Sequence, residues 1–389
     1  MLREADIMKF VVLVHEAHVA LDWVDDGCAL LRECGEVELI CLPTDVLSSL
    51  DGSQEYIPPA EKTSTTAELV SLNDFYSQLE TADAVVIGPW YRPPMLSEHW
   101  QAAKKLKVFS GTFDHRFGDW FDEMRARGIT LIDTSRSMTP TVAEFGLAMT
   151  LNLLRDIPES MYLAREGKWT DSDTWHESGK QGTFTWDKRG FVHGDLTGRR
   201  VGLAGYGSIN RRYAELLSPF RCDVHVYDPF VSNDQLAAAG LTRSDSLVEL
   251  AALSEIFVVA LPPTPTTLEI INRDVISALP KGALFLLLTR MAVVEQEPLW
   301  ERLKAKEIAA AIDVFAPEPP PEDAWFRRHP NVQVTTHIAG GTNYSDRRCF
   351  TEACRDAIAV VTGNEPKWTP TNFDDQSYKG KPHNKQKTN

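Results

Sequence analysis

Short apolar runs alternate with longer mixed segments along almost the whole chain, and this rhythm restricts the fold more than any other feature. The runs fall at 10–14, 37–42, 84–87, 106–109 and 129–132, and again at 200–204, 223–227, 256–261, 283–288, 309–313 and 332–336. They have the length of strands, and most are apolar throughout rather than at every second position, as strands covered on both faces require. Helix-like spacers such as 20–34 and 97–106 separate them, which is the pattern of βαβ units and a parallel sheet. One long helical pattern interrupts the series at 139–157, with Val142, Phe145, Leu147, Met149, Leu151 and Leu154 on it. Strands precede and follow it, so two doubly wound parallel-sheet α/β domains are expected, the second with six strands. A last helix at 346–361 has no strands of its own and should pack back on the first domain. The expected division is therefore 1–140 completed by 345–370, and 141–344. Residues 51–66 and 167–195 read as loops, and 371–389 as a mobile polar tail.

The 389 residues, 43% of them apolar, are enough for two cores. Asp plus Glu (55) exceed Lys plus Arg (40), a net charge of −15 that argues against a nucleic-acid partner. Charges stand at the N-terminus where a signal peptide needs its apolar run, and no stretch approaches the ~20 apolar residues of a membrane helix. A cytoplasmic protein without a membrane partner is expected. The six cysteines form no CxxC pair and none lies beside a histidine at ligand spacing, so reduced buried thiols and no metal are expected.

Gly205-Tyr206-Gly207 follows the run 200–204 and opens a helical stretch through 212–217. Gly205 permits a tight turn, Gly207 lets the backbone approach a pyrophosphate, and the helix N-terminus offers unpaired N–H groups. Asp228 ends the next strand about twenty residues on, where a carboxylate meets the ribose hydroxyls. This predicts a bound dinucleotide, and an acidic Asp228 without a following Arg favours NAD over NADP. Asn210 departs from the small third residue of the fingerprint.

Arg290, Glu318 and His337 each follow one of three later strands. They therefore share the carboxyl edge, where open α/β sheets bind ligands. Hydride transfer to a 2-keto acid needs a cation for the carboxylate, which Arg supplies as a planar fork. It also needs a proton donor for the carbonyl oxygen, and His titrates in the useful range. A carboxylate against the imidazole orients it and favours its charged form. Gly111, Thr112 and Phe113 are expected to give the carboxylate a second hold, with Trp90, Tyr91 and Phe113 either lining the pocket or packing in the core.

The ordered motifs resemble the D-isomer-specific 2-hydroxyacid dehydrogenase family. They are Gly205-Tyr206-Gly207-Ser208-Ile209 with Asp228, then 261–267, Thr289 to Glu295, Asp313 to Pro319, and His337-Ile338-Ala339-Gly340-Gly341, with Val142-Ala143-Glu144 upstream. The likeness covers about 80–362. It implies catalytic Arg290, Glu318 and His337, and a homodimer. It also implies an NAD-binding Rossmann domain inserted into a flavodoxin-like substrate domain. The implied NAD contacts are Gly205, Gly207, Ser208, Ile209, Asp228, Pro262, Thr267, Thr289, Asp313, His337 and Gly340; the implied substrate contacts are Gly111, Thr112, Trp90 and Arg290. Met291-Ala292 and Thr336 depart from the family pattern.

Residues 153–160, Gly167-Lys168-Trp169, the 89–93 loop and Asp114-His115 are similar to the family's formate dehydrogenase branch. That branch pairs its histidine with Gln and holds formate with an Asn. Here Glu318 and Met138 stand at those places, which favours a hydroxy acid. The expected activity is hydride transfer between NAD(H) and a D-2-hydroxy acid or its 2-keto partner. The rival readings are a formate dehydrogenase-like enzyme and a dinucleotide-sensing, corepressor-like binding protein.

Overall fold

Contacts divide the chain into one unit of 1–138 with 342–389 and another of 139–341. The computed structural model describes residues 7–42, 72–89, 93, 95–113, 118–167 and 194–368. The expected loop 51–66, most of 167–195 and the tail 371–389 lie outside them.

In the first unit, strand β1 (Met8–His15) turns Phe10, Val12 and Val14 to one face and Val11 and Leu13 to the other, all fully buried. Two-sided burial of this kind is possible only when helices cover both faces of the sheet. The remaining strands are β2 (Gly35–Leu42), β3 (Ala84–Ile87), β4 (Val108–Gly111) and β5 (Thr130–Asp133), in the order β2-β1-β3-β4-β5 with every pair parallel. Phe75, Trp100 and Phe121 cover one face; Trp23, Leu31 and Phe350 cover the other. Phe350 comes from the final helix, Asn343–Val361, which packs on the Asp22–Arg32 helix. A Cβ at Gly27 would stand 2.4 Å from the Phe350 ring, so Gly27 lets the two helices meet. That helix begins three residues before its apolar pattern. Thr342 Oγ1 accepts the Ser345 amide and Ser345 Oγ accepts the Thr342 amide, each at 3.1 Å.

β4 lies two residues beyond the apolar run 106–109. Ser110 and Gly111 are small or polar, yet they belong in the sheet. Ser110 Oγ donates to the Ala353 carbonyl at 2.9 Å, and any Cβ at Gly111 would lie 2.2 Å from Ile87 Cγ1.

Among the described residues the second unit has seven parallel strands, one more than expected. They are β6 (Arg200–Ala204), β7 (Asp223–Tyr227), β8 (Thr242–Arg243), β9 (Ile256–Val259), β10 (Leu284–Leu287), β11 (Ala309–Ile312) and β12 (Val332–Val334). Their order is β12-β11-β10-β9-β6-β7-β8, so the chain reverses direction across the sheet between β6 and β9. β8 escapes a sequence reading because it is two residues of polar edge strand with no apolar run. The single helix expected at 139–157 is two, Thr139–Arg155 and Ile157–Arg165. Asp156 between them is left-handed (φ 49°), and Pro158 has no N–H to continue the ladder.

Candidate active site

Gly205 leaves β6 with φ 84°, a conformation that favours glycine, and a Cβ there would lie 2.6 Å from Leu261 Cδ2. At Gly207 a Cβ would meet nothing within 4 Å, so this glycine faces open space. The Ser208–Leu217 helix starts directly behind it with no side-chain cap, leaving its first N–H groups for an anion. Asn210 is completely buried, and its Nδ2 donates to the carbonyls of Ala204 (3.2 Å) and Gly205 (2.8 Å). The departure from a small residue thus stiffens the turn. Ser208 Oγ accepts from Thr139 Oγ1 at 2.9 Å, and Ile209 is the next residue of the same helix. Asp228 follows β7, and its carboxylate accepts the Tyr206 amide at 2.7 Å and the Phe230 amide at 2.8 Å. It is therefore preset beside the glycine turn.

Sequence reasoning missed Arg243, because β8 was invisible to it. Its guanidinium donates to the Asp228 carbonyl at 3.0 Å, and also to the Val231 carbonyl and Asn233 Oδ1. A cation therefore does stand near Asp228, although none of the four residues directly after it is an Arg.

The next two strand ends are tied together. Thr289 Oγ1 donates to the Leu261 carbonyl at 2.7 Å, and Thr267 Oγ1 donates to the Pro262 carbonyl while accepting the Thr264 amide at 2.7 Å. Arg290 stands three residues past β10, half-buried. Its Nη1 donates to the Thr289 carbonyl at 2.8 Å, and among the described residues its other guanidinium nitrogens have no partner. Met291 is 1% exposed in the core, so the residue after Arg290 does not shape the mouth of the site.

Asp313 is 1% exposed, and three donors converge on its carboxylate: Thr335 Oγ1 (2.6 Å), the Ile338 amide (3.0 Å) and the Ala339 amide (2.9 Å). Its side chain binds down the loop around His337, and the sequence carried no signal for that role. His337 itself is left-handed (φ 56°), a costly conformation for a histidine that these bonds maintain. Its Nδ1 lies 3.0 Å from Glu318 Oε2, while Nε2 has no partner among the described residues. Gly340 lies half-buried in the same loop. Arg290, Glu318 and His337 thus follow three neighbouring strands, β10, β11 and β12. At ~4.8 Å per strand, the first and last of these strands are ~10 Å apart, room for a small acid.

In the first unit, Gly111 ends β4, and its carbonyl accepts both the Thr134 amide (2.8 Å) and Thr134 Oγ1 (3.0 Å). Thr112 Oγ1 lies 3.4 Å from Thr134 Oγ1. The Phe113 amide donates to Asp133 Oδ1 at 3.1 Å, so it does not serve as a free donor for a carboxylate. The Phe113 ring packs with Phe109 and Trp120 in the core, the plainer of its two expected roles. Trp90, Tyr91, Asp114 and His115 lie outside the described residues. Cys28, Cys41, Cys349 and Cys354 are buried thiols; Cys34 is exposed and Cys222 half-buried, a correction to the expectation that all are buried. Among the described residues no helix is long and apolar enough to cross a membrane.

A seven-stranded doubly wound sheet with an anion-ready glycine turn, and an acid at the end of the following strand, defines a dinucleotide-binding domain. Residues 147–339 match the NAD-binding domain of the D-isomer-specific 2-hydroxyacid dehydrogenases. A glyoxylate reductase of Thermofilum pendens is 31% identical over 274 residues, covering 69% of this chain and 76% of the relative. The human glyoxylate reductase/hydroxypyruvate reductase is 29% identical over 261 residues, 67% of this chain and 74% of that one. The fold matches that of D-mandelate dehydrogenase from Rhodotorula graminis with a TM-score of 0.71 at 19% identity, covering 94% of this chain and 98% of that one. The match spans only part of other curated relatives, 59% of the length of one and 50% of another. The chain belongs to the D-isomer-specific 2-hydroxyacid dehydrogenase family, and its cofactor is NAD.

Proposed function

We propose that the protein interconverts a D-2-hydroxy acid and its 2-keto acid, with Arg290 holding the carboxylate and His337 moving the proton. The observation that carries this is the Glu318–His337 pair at 3.0 Å, with the opposite ring nitrogen unengaged. Gly205, Gly207 and Asp228 would hold NAD(H), which would supply or accept the hydride exchanged with the substrate. In reduction, His337 Nε2–H gives its proton to the carbonyl oxygen; in oxidation, Nε2 takes the hydroxyl proton. Nδ1–H donates to the Glu318 carboxylate throughout, which fixes the tautomer and the orientation of the ring. Arg290 offers its unengaged guanidinium nitrogens as a planar fork to the substrate carboxylate.

The relatives named as glyoxylate and hydroxypyruvate reductases support a small 2-keto acid. Steady-state oxidation of NADH with a panel of 2-keto acids, including those two, tests the reading. Turnover with at least one of them is expected. Tight NADH binding with no turnover across the panel would instead favour a dinucleotide sensor. Assembly as a homodimer belongs to the same proposal, and light scattering on the purified protein reads it.

A further inference from the structure

Four of the six residues 316–321 are proline: Ala316-Pro317-Glu318-Pro319-Pro320-Pro321. Proline has no N–H, so the segment that carries Glu318 has amide donors only at Ala316 and Glu318. Among the described residues neither has a hydrogen-bond partner, and Ala316 to Pro319 are exposed. An apolar cavity of about 400 Å3 lies against it, walled by Ala316, Pro317, Pro320, Pro321, Trp300 and Trp325. Such a loop is fixed chiefly through its carbonyl oxygens and its flanks.

The Ala324 amide donates to the Pro321 carbonyl at 3.1 Å, and two further holds come from the short 3-10 turn that follows it, Trp325–Arg328. Before Glu318, the Phe315 ring stacks on Phe326 with centroids 5.4 Å apart and planes at 11°. After it, Arg327 Nε donates to the Pro321 carbonyl at 2.8 Å and Nη2 to the Pro320 carbonyl at 2.7 Å. The turn has anchors of its own. Phe326 stacks on Trp300 at 5.1 Å, and Trp325 lies under the Lys304 ammonium at 5.1 Å.

We propose that Arg327 is a positioning residue for Glu318. Its fork grips two successive carbonyls, that of Pro320, which has no other donor among the described residues, and that of Pro321, which it shares with the Ala324 amide, and this holds the carboxylate at hydrogen-bond distance from His337. The proposal rests on the reading of Glu318 and His337 as the proton-transfer pair. Lysine, a single-point donor, cannot span both carbonyls in the same way.

A double-mutant cycle tests it on the full chain, with Arg327→Met, Arg327→Lys, Glu318→Gln and the Arg327→Met/Glu318→Gln pair. Methionine keeps the apolar stem of an exposed residue. NADH binding by fluorescence and the thermal midpoint verify folding in every variant. Arg327→Met should lower kcat for the best keto acid roughly five- to twentyfold with NADH affinity unchanged, and Arg327→Lys should recover part of the loss. On the Glu318→Gln background, the Met substitution should cost less than about twofold, because the residue it positions is already altered. An equal loss in both backgrounds, or no loss beside an impaired Glu318→Gln, would overturn the assignment. Wild-type kcat in Glu318→Gln would instead overturn the proton-transfer reading, and the Arg327 proposal with it.

Discussion

Arg243 reaches from β8 to the end of β7 and donates to the carbonyl oxygen of Asp228 at 3.0 Å. The carboxylate of Asp228 accepts two backbone amides at the same time. The end of β7 is thus held from both sides, with the acid oriented by main-chain groups and the turn by a cation from the neighbouring strand. A carboxylate held in this way suits two ribose hydroxyls and repels a 2′-phosphate.

The wild type should therefore use NADH at least about tenfold more efficiently than NADPH, as expected for a charge-assisted hydrogen bond of ~1.5–3 kcal/mol. Asp228→Ser should narrow that gap, chiefly by raising the KM for NADH. Comparable kcat/KM for the two cofactors in the wild type would show that Asp228 does not select.

The three candidate catalytic residues should separate kinetically. His337→Ala should lower kcat by ~10²–10⁴-fold with little effect on NADH binding, since it removes proton transfer. Arg290→Ala should damage both kcat and KM for the keto acid, because a carboxylate clamp binds and orients. A near wild-type rate for His337→Ala would remove that residue from the mechanism.

Acid sensitivity should arise in part from the first unit. His18 is 7% exposed and its Nδ1 is buried without a partner. Burial, with a smaller push from His15, lowers the imidazole from 6.5 to about 4. The unfolded chain therefore binds a proton over that window that the folded chain does not. The stability concerned is complete above about pH 6.5 and is lost as the pH falls toward 4, to roughly 3 kcal/mol at most. Urea unfolding at pH 7 and pH 4.5 should show a smaller difference in His18→Gln than in the wild type. Equal pH slopes in the two proteins would contradict it.

Formate should be a poor substrate. Its oxidation releases CO₂ by hydride loss alone, and no proton need leave an oxygen. The Glu318–His337 pair at 3.0 Å suits a ring that charges and discharges. Met138, at the end of the short Ser135–Met138 helix, brings a thioether in place of an amide donor. NAD reduction with saturating formate should be negligible beside that with D-2-hydroxy acids; efficient formate oxidation with inert hydroxy acids would reverse the choice.

Periodicity alone determined the fold class. Uninterrupted apolar runs such as Leu284–Leu287 and Ile256–Val259 have no use except between two helical layers. Glycine spacing and strand-end position were also enough to single out Gly205, Gly207, Asp228, Arg290, Glu318 and His337. Their order along the chain is the order in which strands deliver residues to one edge. What the sequence left open depends on partners distant along the chain. β8 exists only because β7 offers Thr242 and Arg243 an edge to pair with. The break at Asp156 and the extra residues of β4 likewise reflect local geometry that no apolar pattern encodes. Asn210 looks like a defect in a motif until its amide is seen on the Ala204 and Gly205 carbonyls. Asp313 looks like one more strand-end acid until Thr335, Ile338 and Ala339 are seen to converge on it. A side chain's chemical type is local information. Which groups it satisfies is decided only when the folded chain brings donors and acceptors together and removes water from between them.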